Sequence, residues 1–291
     1  SLRTNPQLNP CIVLPTGAGK TPVLARICAD GLKNGRRMLV VAHVKELLSQ
    51  AEEKLTSMGI DPSLIGVYSA GLKSRDTKHP IIVGGVQSIY RRAVELGPFD
   101  VIIVDEAHLI PSHDGGMYRT FLSEAKIVNP KVKVIGLTAT PYRLDSGLIC
   151  GPENILSHIS YEAPIPDLIE QGYLCSLTSK AGGLQARADV TTLHKRGGEF
   201  IDSEVQEMME ADDMVNAAIK DIKEKSSERR KVLIFASGVD HGKMVARRLR
   251  DKNTYTDEDV CEVYGDTLFR DEEIGRFKND KSYKYMVNCN V

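Results

Sequence analysis

Long apolar runs are missing from this sequence of 291 residues. The longest, such as Val101–Val104, fall far short of the roughly 20 residues that cross a bilayer, and the N-terminus lacks the apolar core of a signal peptide. Low-complexity tracts are also missing, and 42% of the residues are hydrophobic, as in ordinary globular proteins. These absences exclude membrane-spanning and disordered classes, and they predict a cytoplasmic protein without membrane contact.

Paired cysteines and an excess of one charge are missing as well. None of the six cysteines forms a CxxC pair, and several stand in apolar strand-like or helix-like runs. We therefore predict reduced core residues and no zinc site. The 38 Lys and Arg residues nearly balance 39 Asp and Glu, for a formal net charge of −1. Because the protein is not globally basic, any contact with nucleic acid must come from a local patch or from backbone amides.

Short β-branched runs alternate with helix-length stretches in the first half of the chain. The predicted strands are Cys11–Leu14, Met38–Ala42, Ile81–Gly84, Val101–Val104 and Lys133–Leu137. Such alternation predicts an α/β fold with a parallel sheet. The continuous apolar run VIIV indicates a strand covered on both faces, so its C-terminal end is a site for chemistry.

A second α/β series follows a stretch rich in proline and glycine between Arg143 and Gly172, where we place a domain boundary near residue 160. The predicted domains are therefore 1–160 and 161–291. The second series consists of the predicted helices Ser203–Lys225, Val239–Asp251 and Arg270–Lys278 and the predicted strands Lys231–Ala236, Cys261–Gly265 and Tyr285–Asn290. This order resembles a second, incomplete copy of the first architecture.

A glycine-rich segment lies between the first predicted strand and a predicted helix that starts at Pro22. It reads PTGAGKT and consists of Pro15, Thr16, Gly17, Ala18, Gly19, Lys20 and Thr21. The glycines allow a tight turn whose amides, together with the helix N-terminus, face phosphate oxygens. Lys20 then reaches the β and γ phosphates of ATP, and Thr21 ligates Mg²⁺. The segment predicts a phosphate loop.

An acidic tetrapeptide ends the apolar run Val101–Val104 and consists of Asp105, Glu106, Ala107 and His108. At the end of a central strand beside a phosphate loop, Asp105 holds the metal ion through water, and Glu106 orients and deprotonates the attacking water. We predict that both act with Lys20 in catalysis. His108 is predicted to bridge the nucleotide site to the next motif, and an ordinary strand-end histidine is the alternative.

A third segment, GLTATPYR, again stands at the end of an apolar strand and spans Gly136–Arg143. Its hydroxyl groups, on Thr138 and Thr140, can form hydrogen bonds toward the acidic box. Taken alone, a threonine-rich turn before a proline is ordinary loop chemistry. Because it follows the other two motifs in order, we predict that Thr138 and Thr140 couple the nucleotide site to other parts of the protein.

Together these motifs resemble those of superfamily 2 helicases and translocases of the DEAH-containing type. The most similar branch includes type III restriction motor subunits, XPB-like repair helicases and phage helicases. Leu14, where the general phosphate-loop pattern has a glycine, is a departure that helicases share. Further similar segments are VVAHVKELLSQ, VGGVQSIYRR, LIEQGYLCSL and KVLIFASGVDHGKMVARRLR. The resemblance implies two RecA-like domains, the second incomplete, with ATP in the cleft between them.

The resemblance also implies the residues that lie near the nucleic-acid strand. These are His43, Glu46, Gly85, Gln87 and Ser88. A solvated helix face is the alternative for Glu46, and a helix cap is the alternative for Gln87 and Ser88. DNA is favoured over RNA, because the box is DEAH and AHVKELL stands in place of the PTRELA of DEAD-box RNA helicases.

Three parts of the family pattern do not occur in these 291 residues. They are the upstream segment that recognises adenine, most of motif V, and motif VI with its arginine finger. An arginine finger contributes about 10³ to 10⁵ in rate to phosphoryl transfer. We therefore expect the chain as given to bind nucleotide but to hydrolyse it poorly, and a near-normal turnover number would contradict this.

Three functions remain open from the sequence. The leading one is an ATPase that depends on nucleic acid and walks along or unwinds DNA. The second is the motor of a restriction endonuclease, which predicts a nuclease or other accessory domain outside these residues. The third is a fragment that binds nucleotide and nucleic acid without efficient turnover. ATP hydrolysis by a longer form of the protein separates the third function from the first.

Overall fold

The computed structural model describes residues 8–42, 53–112, 115–143, 147–183, 189–196, 199–200, 202–209, 212–250 and 260–289. The chain divides into two compact units, Ser1–Ser176 and Leu177–Val291. The boundary predicted near residue 160 falls inside the first unit, because the strand His158–Glu162 pairs with the strand Pro10–Val13 and belongs to its sheet. The prolines that suggested a boundary therefore lie in the last part of the first unit.

The first unit alternates strands with helices, as the sequence predicts. Its strands are β1 (Pro10–Val13), β2 (Met38–Ala42), β3 (Ile65–Ser69), β4 (Ser74–Arg75), β5 (Ile81–Gly85), β6 (Val101–Asp105), β7 (Lys133–Thr138), β8 (Tyr142–Arg143), β9 (Gly147–Leu148) and β10 (His158–Glu162). Its helices are α1 (Lys20–Lys33), α2 (Val86–Ile89), α3 (Ala93–Leu96), α4 (Gly116–Val128) and α5 (Ile165–Glu170), and residues 53–57 are also helical. Short 3-10 turns lie at Pro62–Leu64 and Ala107–Leu109.

Eight of these strands form one sheet, in the order β10-β1-β7-β6-β2-β5-β3-β4. All neighbours run parallel except β3 and β4, which pair in the antiparallel direction. The predicted parallel α/β sheet is therefore confirmed. Because parallel strands end at the same edge, the loops that follow β1, β7 and β6 emerge side by side.

The sheet is covered on both faces, as the VIIV run predicts. Successive residues of β2 enter opposite cores: Leu39 and Val41 join one cluster, and Met38 and Val40 join the other. The first cluster is closed by buried residues of α2, α3 and α4, and the second by buried residues of α1 such as Cys28. Each fully buried aliphatic side chain contributes about 1.5–3 kcal/mol. These layers hold the strand ends in fixed positions.

The second unit is a smaller α/β assembly. Its strands are β11 (Lys195–Arg196), β12 (Glu199–Phe200), β13 (Val232–Phe235), β14 (Val260–Val263) and β15 (Tyr285–Asn288). Its helices are α6 (Asp202–Met209), α7 (Asp212–Lys225), α8 (Val239–Arg250) and α9 (Arg270–Asn279), with a 3-10 turn at Val190–Thr192. The strands β13, β15 and β14 form a parallel sheet in that order, and α7 and α8 share its core.

Five strands of the first unit were not predicted from the sequence: the short strands β4, β8 and β9, and the longer strands β3 and β10. Strand β3 contains a glycine and a serine, and β10 is half-exposed and polar, so neither has a run of apolar residues. The predicted helix Ser203–Lys225 corresponds to α6 and α7, with residues 210 and 211 outside the described part. Among the described residues, no helix combines the length and apolar character needed to cross a membrane.

Candidate functional site

The phosphate-loop segment leaves the C-terminal end of β1 and enters α1. Gly17 and Gly19 have φ angles of 83° and 92°, in the left-handed region that favours glycine. The Ala18 amide donates a hydrogen bond to the Pro15 carbonyl at 2.9 Å, which closes the turn, and α1 begins at Lys20. The segment is accessible to solvent. The turn therefore offers backbone amides and a helix N-terminus to an anion.

The acidic box follows β6, and it lies beside the loop. Asp105 is the last residue of β6, and Glu106 has φ 50° and ψ 53°, a left-handed conformation that costs a non-glycine residue about 1–2 kcal/mol. The Lys20 ammonium forms an ion pair with Glu106 Oε1, across 86 positions of the sequence. The structure thus brings three predicted catalytic residues, Lys20, Asp105 and Glu106, to one edge of the sheet.

Asp105 is partly buried at the end of β6. Burial raises the pKa of the Asp105 carboxyl above its usual value, since the cost of desolvating the charge outweighs the attraction of Lys20. The neighbouring Glu106 carboxylate also raises the pKa of Asp105, whereas the hydrogen bond from the Glu106 amide to Asp105 Oδ1, at 3.0 Å, lowers it. A partly buried carboxylate in this environment favours a bound cation.

Replacing Asp105 with Asn should stabilise the protein in the absence of ligands. Because the folded state raises the pKa of Asp105, that carboxyl costs stability at neutral pH, and the cost disappears as the pH falls below its unfolded value near 3.8. We expect the free energy of unfolding of Asp105→Asn to exceed that of the wild type by about 0.5–2 kcal/mol at pH 7. Thermal unfolding from pH 7 down to pH 4 should show this difference shrinking.

The matched control is Asp266→Asn, which changes an exposed aspartate of the second unit. Its melting temperature should equal that of the wild type at each pH. A melting temperature of Asp105→Asn below the wild-type value at neutral pH would show that the attraction of Lys20 outweighs desolvation.

The third motif is joined to the acidic box by a hydrogen-bond chain. His108 Nδ1 lies 3.0 Å from the hydroxyl of Thr138, which is fully buried, and 3.4 Å from Glu106 Oε2. The Thr138 hydroxyl donates to the Thr140 carbonyl and accepts from the Thr140 amide, each at 3.1 Å. With the hydroxyl proton directed to Thr140, the His108 tautomer protonated at Nδ1 completes the chain. The predicted coupling residues His108, Thr138 and Thr140 therefore lie in contact with one another.

The sequence alone assigned no role to Arg143, which the structure brings to the hydrogen-bond network of His108 and Thr138. The Arg143 Nε donates to the His108 carbonyl at 2.8 Å, so the guanidinium holds the turn that carries His108. The Thr138 carbonyl also accepts from the Leu14 amide at 2.8 Å, which fixes the start of the phosphate loop. The signal was present in the sequence, since Arg143 is the last residue of the GLTATPYR segment.

The predicted nucleic-acid residues are only partly within the described structure. His43 and Glu46 lie outside the described residues, whereas Gly85 ends β5 and pairs with Ala42 at the end of β2. Gln87 is exposed at the same edge. The Ser88 hydroxyl accepts a hydrogen bond from the Ala70 amide at 2.9 Å, which favours a structural role for Ser88.

Exposed arginine side chains follow Gln87 and Ser88 in the sequence. Arg91 is exposed, has a left-handed φ of 61°, and places its guanidinium 5.4 Å from the ring centroid of Tyr90. Arg92 is exposed as well and donates to Glu95 Oε2 at 3.1 Å. An exposed arginine of this kind can contact a phosphate group without reading a base.

Within the described ranges, no cluster of three or more His, Cys, Asp or Glu side chains is arranged to hold a metal ion. The predicted Mg²⁺ ligands, Thr21 and Asp105, do not require such a cluster. Mg²⁺ in nucleotide sites usually takes one or two protein ligands and completes its octahedral shell with phosphate oxygens and water.

The first half of the chain matches a known protein family. Residues 2–143 match the model of the family described as "Type III restriction enzyme, res subunit". Among curated proteins, the DNA 3'-5' translocase XPB2 of Sulfurisphaera tokodaii is 36% identical over 137 residues, which cover 46% of this chain and 27% of the relative. The match thus spans about a quarter of that relative.

Solved structures give a likeness of fold. The Hef helicase domain of Pyrococcus furiosus has a TM-score of 0.55 and 15% identity, and the match covers 99% of this chain and 84% of that one. UvsW of bacteriophage T4 has a TM-score of 0.45 and 15% identity, over 97% of this chain and 54% of that one. The Hef likeness agrees with the α/β architecture described above.

Proposed function

We propose that this chain, whose first half belongs to the superfamily 2 helicases and translocases, is the motor part of an ATP-dependent enzyme that moves along or unwinds DNA. The observation that carries the proposal is the ion pair between Lys20 and Glu106 at the mouth of the phosphate loop. It joins a candidate phosphate-binding cation to a candidate general base, next to the partly buried Asp105. We also propose a cytoplasmic location, which the six free cysteines fit.

The residues present fit ATP with Mg²⁺. The two left-handed glycines shape the loop into a tight turn at the N-terminus of α1, and the loop is open to solvent. Lys20 would hold the β and γ phosphates, while Thr21 and Asp105 would hold the metal ion, Asp105 through water. The metal ion supplies positive charge against the phosphate oxygens. Glu106, which pairs with Lys20 and lies near His108, would orient a water molecule and accept its proton at a carboxylate oxygen.

Coupling is proposed to run through the hydrogen bonds of His108 and Thr138. A change at the Glu106 carboxylate alters the contact with His108 Nδ1, and His108 is bonded to the buried Thr138 hydroxyl. Arg143 donates a hydrogen bond to the backbone of the turn that carries His108. A shift of His108 therefore also moves the loop before β8. A connected hydrogen-bond network of this kind is a physical route for coupling between sites when the nucleotide biases it toward a second arrangement.

The proposed partner is nucleic acid, with DNA favoured. The matched relative is described as a DNA translocase, and the exposed Gln87 and Arg91 near Gly85 give a polar, cationic edge for a sugar-phosphate backbone. We propose that His43 and Glu46 contact the same strand, because the chain leaves β2 next to Gly85.

A restriction motor is a second candidate, favoured by the description of the matched family as the res subunit of type III restriction enzymes. This function requires a nuclease partner or domain. Cleavage of DNA by the complete protein, dependent on ATP, would favour it over a translocase or helicase without cleavage.

ATP hydrolysis by this chain and by a longer form of the protein, each with and without DNA or RNA, tests the proposed function. We expect both to bind nucleotide saturably, and we expect hydrolysis by the longer form to rise at least about 5-fold with double-stranded or single-stranded DNA, in line with usual coupling between sites. RNA of the same length is the comparison for the partner. Nucleotide binding with no response of either rate or affinity to any nucleic acid would reject a motor and leave a nucleotide-binding module.

A further inference from the structure

The two units are joined by a segment that is fixed alongside the phosphate loop. This connector, Ala163–Ser176, begins where β10 ends. The Ala163 amide donates to the Val13 carbonyl at 3.0 Å, and the Ser160 hydroxyl donates to the Cys11 carbonyl at 3.1 Å. Because Val13 is the last residue of β1, the start of the connector is tied to the strand that leads into the phosphate loop.

The connector then turns at the end of α5. Gly172 takes a left-handed φ of 77°, and the amides of Tyr173 and Leu174 both donate to the Leu168 carbonyl, at 2.9 and 3.0 Å. Backbone bonds of this type end a helix in a defined conformation. The position of Leu174 is therefore set by the backbone of α5.

Leu174 contacts the phosphate loop. A Cβ atom placed on Gly17 would lie 3.2 Å from Leu174 Cδ2, so the leucine side chain packs directly against the glycine. Leu174 is half-buried, whereas its neighbours Tyr173 and Cys175 are exposed. The apolar side chain of this turn is thus directed at the loop, two residues before the first unit ends at Ser176.

We propose that Leu174 is a positioning residue that holds the phosphate loop at Gly17, and that the connector changes its exposure when phosphate occupies the loop. The inference rests on the proposed nucleotide binding. Gly17 is flexible because it lacks a side chain, and filling the loop with phosphate restricts its backbone. Leu174 passes this restriction to the segment that continues into the second unit. Because coupling between two sites is reciprocal, the connector also affects nucleotide binding. A change at Leu174 therefore alters the affinity for nucleotide.

Cys175 provides the probe, because it is exposed while four of the other five cysteines are buried and Cys150 is partly buried. The rate of labelling by a thiol reagent is measured on the full chain, with and without Mg²⁺ and a non-hydrolysable ATP analogue. We expect the analogue to change the rate for Cys175 by about 5-fold. The variant Cys175→Ser identifies the signal, because it removes this phase of labelling.

Direct binding of a fluorescent nucleotide is measured in parallel. If the analogue binds and the labelling rate of Cys175 stays the same, the inference is overturned and the proposed function stands. If the analogue does not bind, both are overturned.

Variants of Leu174 separate positioning from folding. In Leu174→Ala, nucleotide affinity should fall about 5-fold and the nucleotide-dependent change in labelling should disappear. Leu174→Met, which fills a similar volume, should restore both. Leu177→Ala is the matched control, because Leu177 is 86% exposed, and it should behave as the wild type. A full nucleotide-dependent change in Leu174→Ala, or its loss in Leu177→Ala, would overturn the proposal.

Discussion

Replacing Glu106 with Gln should lower the rate of ATP hydrolysis by about 10²–10⁴-fold, the usual contribution of a general base. The amide keeps the shape of the side chain but cannot accept a proton from water. The change also removes the negative charge that pairs with Lys20. In this variant, the Lys20 ammonium does not have to break an ion pair before it binds a phosphate group. We therefore expect Glu106→Gln to bind nucleotide as tightly as the wild type or more tightly.

Single-turnover hydrolysis, with protein in excess over radiolabelled ATP, measures this effect even when the basal rate is low. Nucleotide affinity is measured separately by fluorescence. Glu153→Gln, at an exposed glutamate of the same unit, is the matched control and should leave both quantities unchanged. A hydrolysis rate of Glu106→Gln within about 3-fold of the wild type would remove Glu106 from the role of base, since such a role contributes far more.

Lys20→Met should weaken nucleotide binding by about 10- to 100-fold, because a hydrogen bond to a charged group contributes about 1.5–3 kcal/mol. Methionine retains the apolar part of the side chain and loses the ammonium. The Glu106 carboxylate left behind is 30% exposed, so it can be solvated and the fold should survive. The rise in melting temperature that Mg²⁺ and ATP produce in the wild type should be lost in this variant.

Lys33→Met serves as the comparison for Lys20→Met. Lys33 is exposed in the last turn of α1, so the same change is made in the same helix far from the loop. It should keep the wild-type affinity. Equal affinities of the two variants for nucleotide would exclude a phosphate-binding role for Lys20.

The core strands could be predicted from the sequence because their physics is local. Val101–Val104 has apolar residues on both faces, and a strand between two layers of helices buries three of them fully and Val101 partly. The phosphate loop was predictable for a similar reason, since a glycine pair before a lysine serves a turn with left-handed backbone. The roles of Lys20, Asp105 and Glu106 stay predictions until the variants are measured.

Other features depend on partners far along the chain. Strand β10 is polar and half-exposed, and it forms because β1 offers it an edge. The boundary between the units shifts with it, from near residue 160 to Ser176. Leu174 has no local pattern, because its proposed role arises from a contact with Gly17 that only the folded chain creates.

The place of β1 within the sheet affects how the protein is made. β1 is the earliest described strand, yet its two neighbours, β7 and β10, are built from residues 133–138 and 158–162. During synthesis, which proceeds from the N-terminus, β1 must wait unpaired until more than a hundred further residues have left the ribosome. An unpaired apolar strand is prone to aggregation during that interval. We therefore expect chaperones that bind extended apolar segments to protect the nascent chain during this interval.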